Sequence, residues 1–210
     1  KRRYILDSAC TRGIMADLSI LYVLNNAAET SIPLEIAASL RSSEVDVEVA
    51  AFFEPSNKTF NIDVHSLKAS SQVDPRAYRR LLKLVREIDP DLVHVHPNAT
   101  GSIVRILLSS ADTAIVTTEH NTHDNFGQVK RVLNGVTNAL NDVVIANSQA
   151  TRNSFAQWEQ WLLRNTGTLV EVIHNGVDIE RIDRARTTEE LPDLPKGFLI
   201  GTAGRLVQQK

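Results

Sequence analysis

Cysteine is almost missing from this chain. Its 210 residues include only Cys10, so no disulfide can close within it. That fits a reducing compartment, and the cytoplasm is the expected location. An excess of one charge is missing too: 23 Lys and Arg face 25 Asp and Glu, for a net charge of -2. Such a surface has no electrostatic reason to bind nucleic acid or an anionic membrane strongly. No apolar run approaches the roughly 18–20 residues of a bilayer-spanning helix. Only one methionine occurs, Met15, and it follows the odd opening K-R-R-Y-I-L-D-S-A-C-T-R-G-I. That opening lacks the apolar core and cleavage site of a signal peptide. Residues 1–14 read either as a short native extension or as a non-native segment ahead of the biological start.

What is present is ordinary for a globular protein: 42% apolar and 23% charged residues, at a length suited to one sizeable α/β domain. From Leu18 onward, strand and helix patterns alternate. Leu18–Leu24 is an apolar run followed by the polar loop N-N-A-A-E-T, and Ser31 with Pro33 opens a helix carrying Leu34, Ala37 and Leu40. Val45, Val47 and Val49 alternate with acids as a strand must, and a shorter strand follows at Ile62–Leu67. Asp74-Pro75 starts a helix with Tyr78, Leu81, Leu82, Val85 and Ile88 at helical spacing, which Asp89-Pro90 stops. Strands are expected at Leu92–His96, Ala114–Thr118, Val143–Ala146 and Leu169–Ile173, separated by helices. One of those helices is expected to bury Phe126, Val129, Leu133, Val136 and Leu140, and the next to bury Phe155, Trp158 and Leu162. The pattern implies a mostly parallel sheet in a three-layer, Rossmann-like α/β domain. Its extent reads as 15–180, followed by a charged, Pro-containing linker at 181–196 and a new strand and loop at 197–210.

In such sheets ligands bind beyond the carboxyl ends of the strands, and the unusual polar residues lie there. Asn25 and Asn26 follow the first strand. D-L-V-H-V-H ends in His94 and His96, two apart and so on one face. T-T-E-H-N-T-H-D packs Glu119, His120, Asn121, His123 and Asp124 into six residues. A zinc or iron site is one reading of that cluster, and a solvated helix start is another. Ser148 of A-N-S-Q-A-T-R is a plain helix N-cap. Asn175-Gly176 of H-N-G-V-D tolerates positive φ and marks a tight turn.

Several of these segments resemble one family. V-I-H-N-G-V-D, and then I-G-T-A-G-R-L-V-Q-Q-K at the end, are similar to the hinge and first donor-binding loop of family-four glycosyltransferases with the GT-B fold. D-L-V-H-V-H, T-T-E-H-N-T-H and A-N-S-Q-A-T-R match further elements of that family. The resemblance implies the acceptor-side, N-terminal Rossmann-like domain of an enzyme that transfers a sugar from a nucleotide-sugar donor, with retention. It makes His120 the catalytic-site histidine that orients the transferring sugar. His96, Asn25, Asn26, Ser148, Asn175, Gly176, Arg205 and Lys210 become substrate-binding residues, the last two holding the donor diphosphate. It implies no metal and no cofactor. The acceptor, sugar-, lipid- or protein-linked, is not specified. Peripheral membrane association of the full-length enzyme and self-association through an exposed interdomain face are both compatible with it. A chain ending at Lys210 is expected to be inactive alone. The alternatives are a GT-B-fold nucleotide-sugar 2-epimerase and a non-catalytic sugar- or nucleotide-binding domain. One departure stands out: many relatives carry Gly-Gly after the first strand, whereas here that loop has no glycine, so Cβ atoms bar the closest backbone approach.

Overall fold

The computed structural model describes residues 18–27, 31–41, 45–55, 62–96, 99–176, 179–188 and 197. Seven strands form one sheet: β1 (Leu18–Leu24), β2 (Val45–Ala51), β3 (Val64–Ser66), β4 (Leu92–Val95), β5 (Ala114–Glu119), β6 (Val143–Ala146) and β7 (Leu169–Val172). Their order is β3-β2-β1-β4-β5-β6-β7, and every described pairing is parallel. This is a Rossmann-like α/β sheet. The order reverses between β1 and β4, which opens a crevice at their carboxyl ends.

Strand alternation sends β1 side chains to both faces. Leu21 and Val23 join Val93, Val95 and Ile115 against Tyr78, Leu81 and Val85 of α2 (Pro75–Ile88) and Val104 and Leu108 of α3 (Ala99–Leu108). Ile20, Tyr22 and Leu24 join Val47 and Val49 against Leu34 and Ala37 of α1 (Ile32–Leu40). Each such buried aliphatic contributes about 1.5–3 kcal/mol of transfer free energy. Helix α2 starts where Asp74 Oδ1 accepts from Arg76 N at 2.9 Å. It stops at Asp89, left-handed at φ 50°, whose N–H returns to the Val85 carbonyl. The Asp-Pro pairs at both ends thus act as the sequence suggests.

Next come α4 (Gln128–Asn138), α5 (Gln149–Asn153) and α6 (Gln157–Thr166), with a 3-10 turn at His123–Asn125. Helix α4 overturns its expected orientation. Val129 is 84% exposed and Val132, Leu133 and Val136 are also exposed, whereas Asn134, Gly135, Thr137 and Asn138 are buried. The apolar stripe lines an open surface groove with Gln128. The polar stripe turns inward because buried ions wait there. Rotating Asn134 and Asn138 away would strand an ionised carboxylate in the interior, which costs more than leaving aliphatic side chains wet. The Phe155–Leu162 helix is likewise corrected: the helix is interrupted at Ser154–Ala156 between α5 and α6, so Phe155 and Leu163 are buried while Trp158 is 40% exposed.

Gly135 shows how tightly α4 and α6 meet. A Cβ there would lie 2.5 Å from Trp158 Cη2 and 2.6 Å from Glu159 Oε1. Trp158 can swing outward, but Glu159 is buried and its Oε2 accepts from Ala156 N. Gly135→Ala is therefore expected to destabilise the fold by about 1–3 kcal/mol by overpacking. Denaturant titration checks it, and an unchanged midpoint would show that Glu159 yields freely.

The chain divides into two compact units between Asn175 and Gly176. In the second, α7 (Ile179–Thr188) is helical and runs into the stretch that composition marks as linker. Positive φ occurs among the described residues at Lys68, Asp89, Gly167 and Gly197, and not at Asn175 or Gly176. Asn-Gly tolerates that conformation without requiring it. Residues 1–14, Met15, and the Phe198–Lys210 segment with Arg205 and Lys210 lie outside the described residues. Among the described residues no helix is long and apolar enough to cross a membrane.

Candidate functional site

Two polar clusters form where β5 ends, one on each face of the sheet. Val95 pairs with Thr117 in the β4–β5 register. Alternation then sends Thr118 and His120 toward the β4 histidines, and Thr117 and Glu119 toward α3 and α4. The single run T-T-E-H is thus split between two environments.

On the first face, Tyr22, His94, His96 and His120 form a row. Ring centroids lie 4.6 Å apart for Tyr22 and His94, 4.5 Å for His94 and His96, and 5.2 Å for His96 and His120. His94 Nε2 is 2.8 Å from Thr118 Oγ1, and His96 Nδ1 is 2.9 Å from His120 Nε2. His96 is 7% exposed and His120 is half-buried. The row is uncharged near neutrality. Burial pushes His94 down to about 4, helped by His120. Burial, then His94 and His120, hold His96 well below the ordinary imidazole range. His120 is lowered by burial, which outweighs the nearby Glu119.

The row sits at the crevice. Asn25, just past β1, accepts a short hydrogen bond through Oδ1 from Thr100 Oγ1 in the first turn of α3, tying the two sides of the switch point together. The Asn25 carbonyl also accepts from Phe53 N at 3.0 Å. Asn26 is exposed. Asn147, just past β6, donates through Nδ2 to the His120 carbonyl at 3.2 Å, and its N–H donates to the Glu119 carbonyl at 3.1 Å. Ser148 Oγ accepts from Thr151 N at 3.1 Å, so it caps the five-residue α5. The structure therefore brings Asn25, His96 and His120 to one edge of the sheet. Asn175 lies half-buried beyond β7, and Gly176 opens the second unit. Thr100, Thr118 and Asn147 were not singled out from sequence, though each follows or ends a strand, where such residues are worth noting.

The opposite face holds a buried ionic network. Arg105 and Glu119 are both 0% exposed, and His123 and Glu159 are equally hidden. Glu119 Oε1 accepts from Asn134 Nδ2 at 2.6 Å and Asn138 Nδ2 at 2.9 Å, and lies 3.7 Å from His123 Nε2. His123 Nδ1 is 2.7 Å from Glu159 Oε1. Arg105 donates through Nη2 to Asn134 Oδ1 at 2.6 Å and to Thr137 Oγ1 at 2.8 Å. Burial opposes charge on His123, yet Glu119 and Glu159 overcome it and raise the imidazole to about 9. Burial alone would raise Glu119, but His123, Arg105 and Asn138 bring it below the ordinary carboxylate value. Arg105 is pushed down to about 10 by burial, against the pull of Glu119. This network is internal scaffold: it fixes the turn that follows His120. Among the described residues, no group of three His, Cys, Asp or Glu is placed to hold a metal ion.

The sequence profile of Glycosyltransferase Family 4 matches residues 32–181 of the chain. Among solved structures, the chain is similar to HepE from Anabaena, whose crystal structure was determined in complex with UDP and glucose. The two are 22% identical with a TM-score of 0.55, over 80% of this chain and 49% of HepE. The chain thus spans about half the length of that protein. No curated protein matches it.

Proposed function

The chain belongs to Glycosyltransferase Family 4, and from that premise we propose that it is the acceptor-side domain of an enzyme that transfers a sugar from a nucleotide-sugar donor, with retention. The observation that carries this reading is the His96–His120 pair, held at 2.9 Å on the carboxyl edge of the sheet beside the β1–β4 switch point. Ligands of open α/β sheets bind at that place. A neutral imidazole there suits a neutral polyhydroxylated ligand, because it hydrogen-bonds hydroxyls without attracting a carboxylate or phosphate. The UDP and glucose bound by HepE support a nucleotide-sugar donor.

In this reading His120 contacts the transferring sugar and orients it. Asn25 and Asn26 supply side-chain amides in the glycine-free loop. Arg205 and Lys210 neutralise the diphosphate leaving group from a second domain, with no metal required. The cytoplasm, which fits a chain with a single cysteine, is the proposed location. Ser148, spent on its cap, contributes to donor binding only through the start of α5, and Asn175 and Gly176 contribute from the segment just beyond β7.

The test is a nucleotide-sugar panel assayed for nucleotide-diphosphate release, on the 210-residue chain and on the same chain joined to a donor-binding Rossmann domain. Release confined to the two-domain protein, with sugar moved to an acceptor, is expected. Epimerisation at C2 without transfer, or equal turnover by the 210-residue chain, would overturn it.

A further inference from the structure

We infer that His96 is a positioning residue: its Nδ1–H donates to His120 Nε2, which fixes His120 as the Nδ1–H tautomer and makes that N–H the donor offered to a sugar oxygen. The functional half of this statement rests on the glycosyltransferase reading above; the tautomer itself does not.

The geometry comes first. The His96 and His120 rings are only 21° from parallel, with centroids 5.2 Å apart and nitrogens 2.9 Å apart. Those values describe an edge-to-edge bond lying in both ring planes, not two rings stacked face to face. A nitrogen–nitrogen contact of that length contains one shared proton. Two neutral rings can place it in only two ways, and burial keeps both rings neutral near pH 7.

The two arrangements differ in what they leave behind. His96 Nε2 is buried and has no hydrogen-bond partner among the described residues. If His120 were the donor, His96 would carry its remaining proton on that nitrogen, a buried N–H with no acceptor among the described residues. If His96 is the donor, the same atom is a bare lone pair. An orphaned buried N–H is the rarer defect in folded proteins, so the proton sits on His96 Nδ1. His120 Nε2 is then spent as an acceptor, and its own proton must be on Nδ1.

The frame around His96 is stiff enough to impose this choice. Its backbone N–H is bonded to the Val23 carbonyl at 3.0 Å, and its ring lies against His94 and Tyr22. His94 is in turn tied to Thr118, and the His120 carbonyl to Asn147. His96 does not touch the ligand: it is too deeply buried, and it acts through its neighbour.

The test is long-range nitrogen–proton NMR of the imidazoles, easily assigned with six histidines in the chain. It uses the wild-type protein, His96→Asn and His96→Leu near pH 7.5, without any sugar. His120 is expected to show a proton-bearing Nδ1 and a bare Nε2 in the wild type. Asn, which places an amide N–H where Nδ1 stood, should preserve that pattern. Leu should release His120 to the Nε2–H form that free imidazole side chains prefer. A proton-bearing Nε2 on His120 in the wild type overturns the inference, even if His96→Leu fails to fold. So does an unchanged His120 signature in a folded Leu variant. Should the sugar-transfer panel fail while these tautomers hold, the functional reading falls and the positioning does not.

Discussion

Raising the pH from about 7.5 to about 9.5 should weaken the fold by roughly 2 kcal/mol, and His123→Ala should remove that dependence. The cause is the His123 imidazole, raised to about 9 between Glu119 and Glu159. A base whose folded pKa exceeds its unfolded value stabilises the fold fully below the unfolded pKa. That contribution disappears as pH rises through the folded value. The window is clean at its upper end: Arg105, pushed down to about 10, begins to act with the opposite sign only above it. On the acid side the order inverts. His94, His96 and His120 all have lowered values, so the unfolded chain takes up their protons first and stability falls as pH drops below about 6.5. Maximum stability is thus expected near pH 6.5–7.5. His123→Ala at pH 7 removes the cation that Glu119 and Glu159 share, leaving only Arg105 near Glu119 and Arg131 4.0 Å from Glu159, which should cost about 3–5 kcal/mol. For a domain of this size that is a fall of about 6–20 °C in Tm. Urea titrations at pH 7.5, 8.5 and 9.5 on both proteins decide the matter. A wild-type midpoint flat across that range would mean that His123 is neutral in the native state.

The ion network behind this result is also where sequence reading runs out. The β-strands and α2 were legible because their signals are local: period-two valines, and Asp-Pro at each end of a helix. The histidine pair was legible because H-x-H and T-T-E-H end neighbouring parallel strands, so their last residues must meet. Helix α4 was misread because its two stripes have the same period. Val129, Val132 and Val136 recur at helical spacing, but so do Asn134, Thr137 and Asn138, with Gly135 between them. Which stripe faces inward depends on what it meets, and the partners Arg105, Glu119 and Glu159 lie far away along the chain. The informative signal was the polar stripe itself: three hydrogen-bonding side chains and a glycine on one helical face. The T-T-E-H-N-T-H cluster is dense in sequence but not one site in space. Strand alternation divides it into a crevice edge with His120 and a structural interior with Glu119 and His123.

His120→Ala should lower sugar transfer by the two-domain enzyme about 10²- to 10³-fold in kcat/KM, while moving Tm little. The small structural effect follows from its position. His120 is half-buried beyond the last residue of β5, and its carbonyl bond to Asn147 belongs to the backbone and survives truncation. The large kinetic effect follows from preorganisation. Its ring is held by His96 at 2.9 Å, so no reorientation is needed when charge develops on the sugar. Removing one such fixed donor from a water-poor site costs about 2.7–4 kcal/mol of transition-state stabilisation. His96→Leu should cost less, because the untethered His120 still reaches the sugar part of the time. The decisive comparison is the double variant. If His96 acts only through His120, then adding His96→Leu to His120→Ala should cost almost nothing further, and the two losses will be far from additive. Steady-state kinetics on the four proteins, with Tm measured for each, give the coupling directly. Full additivity would show that His96 meets the substrate by a route of its own. A His120→Ala enzyme of undiminished activity would move the reacting sugar away from this edge of the sheet altogether.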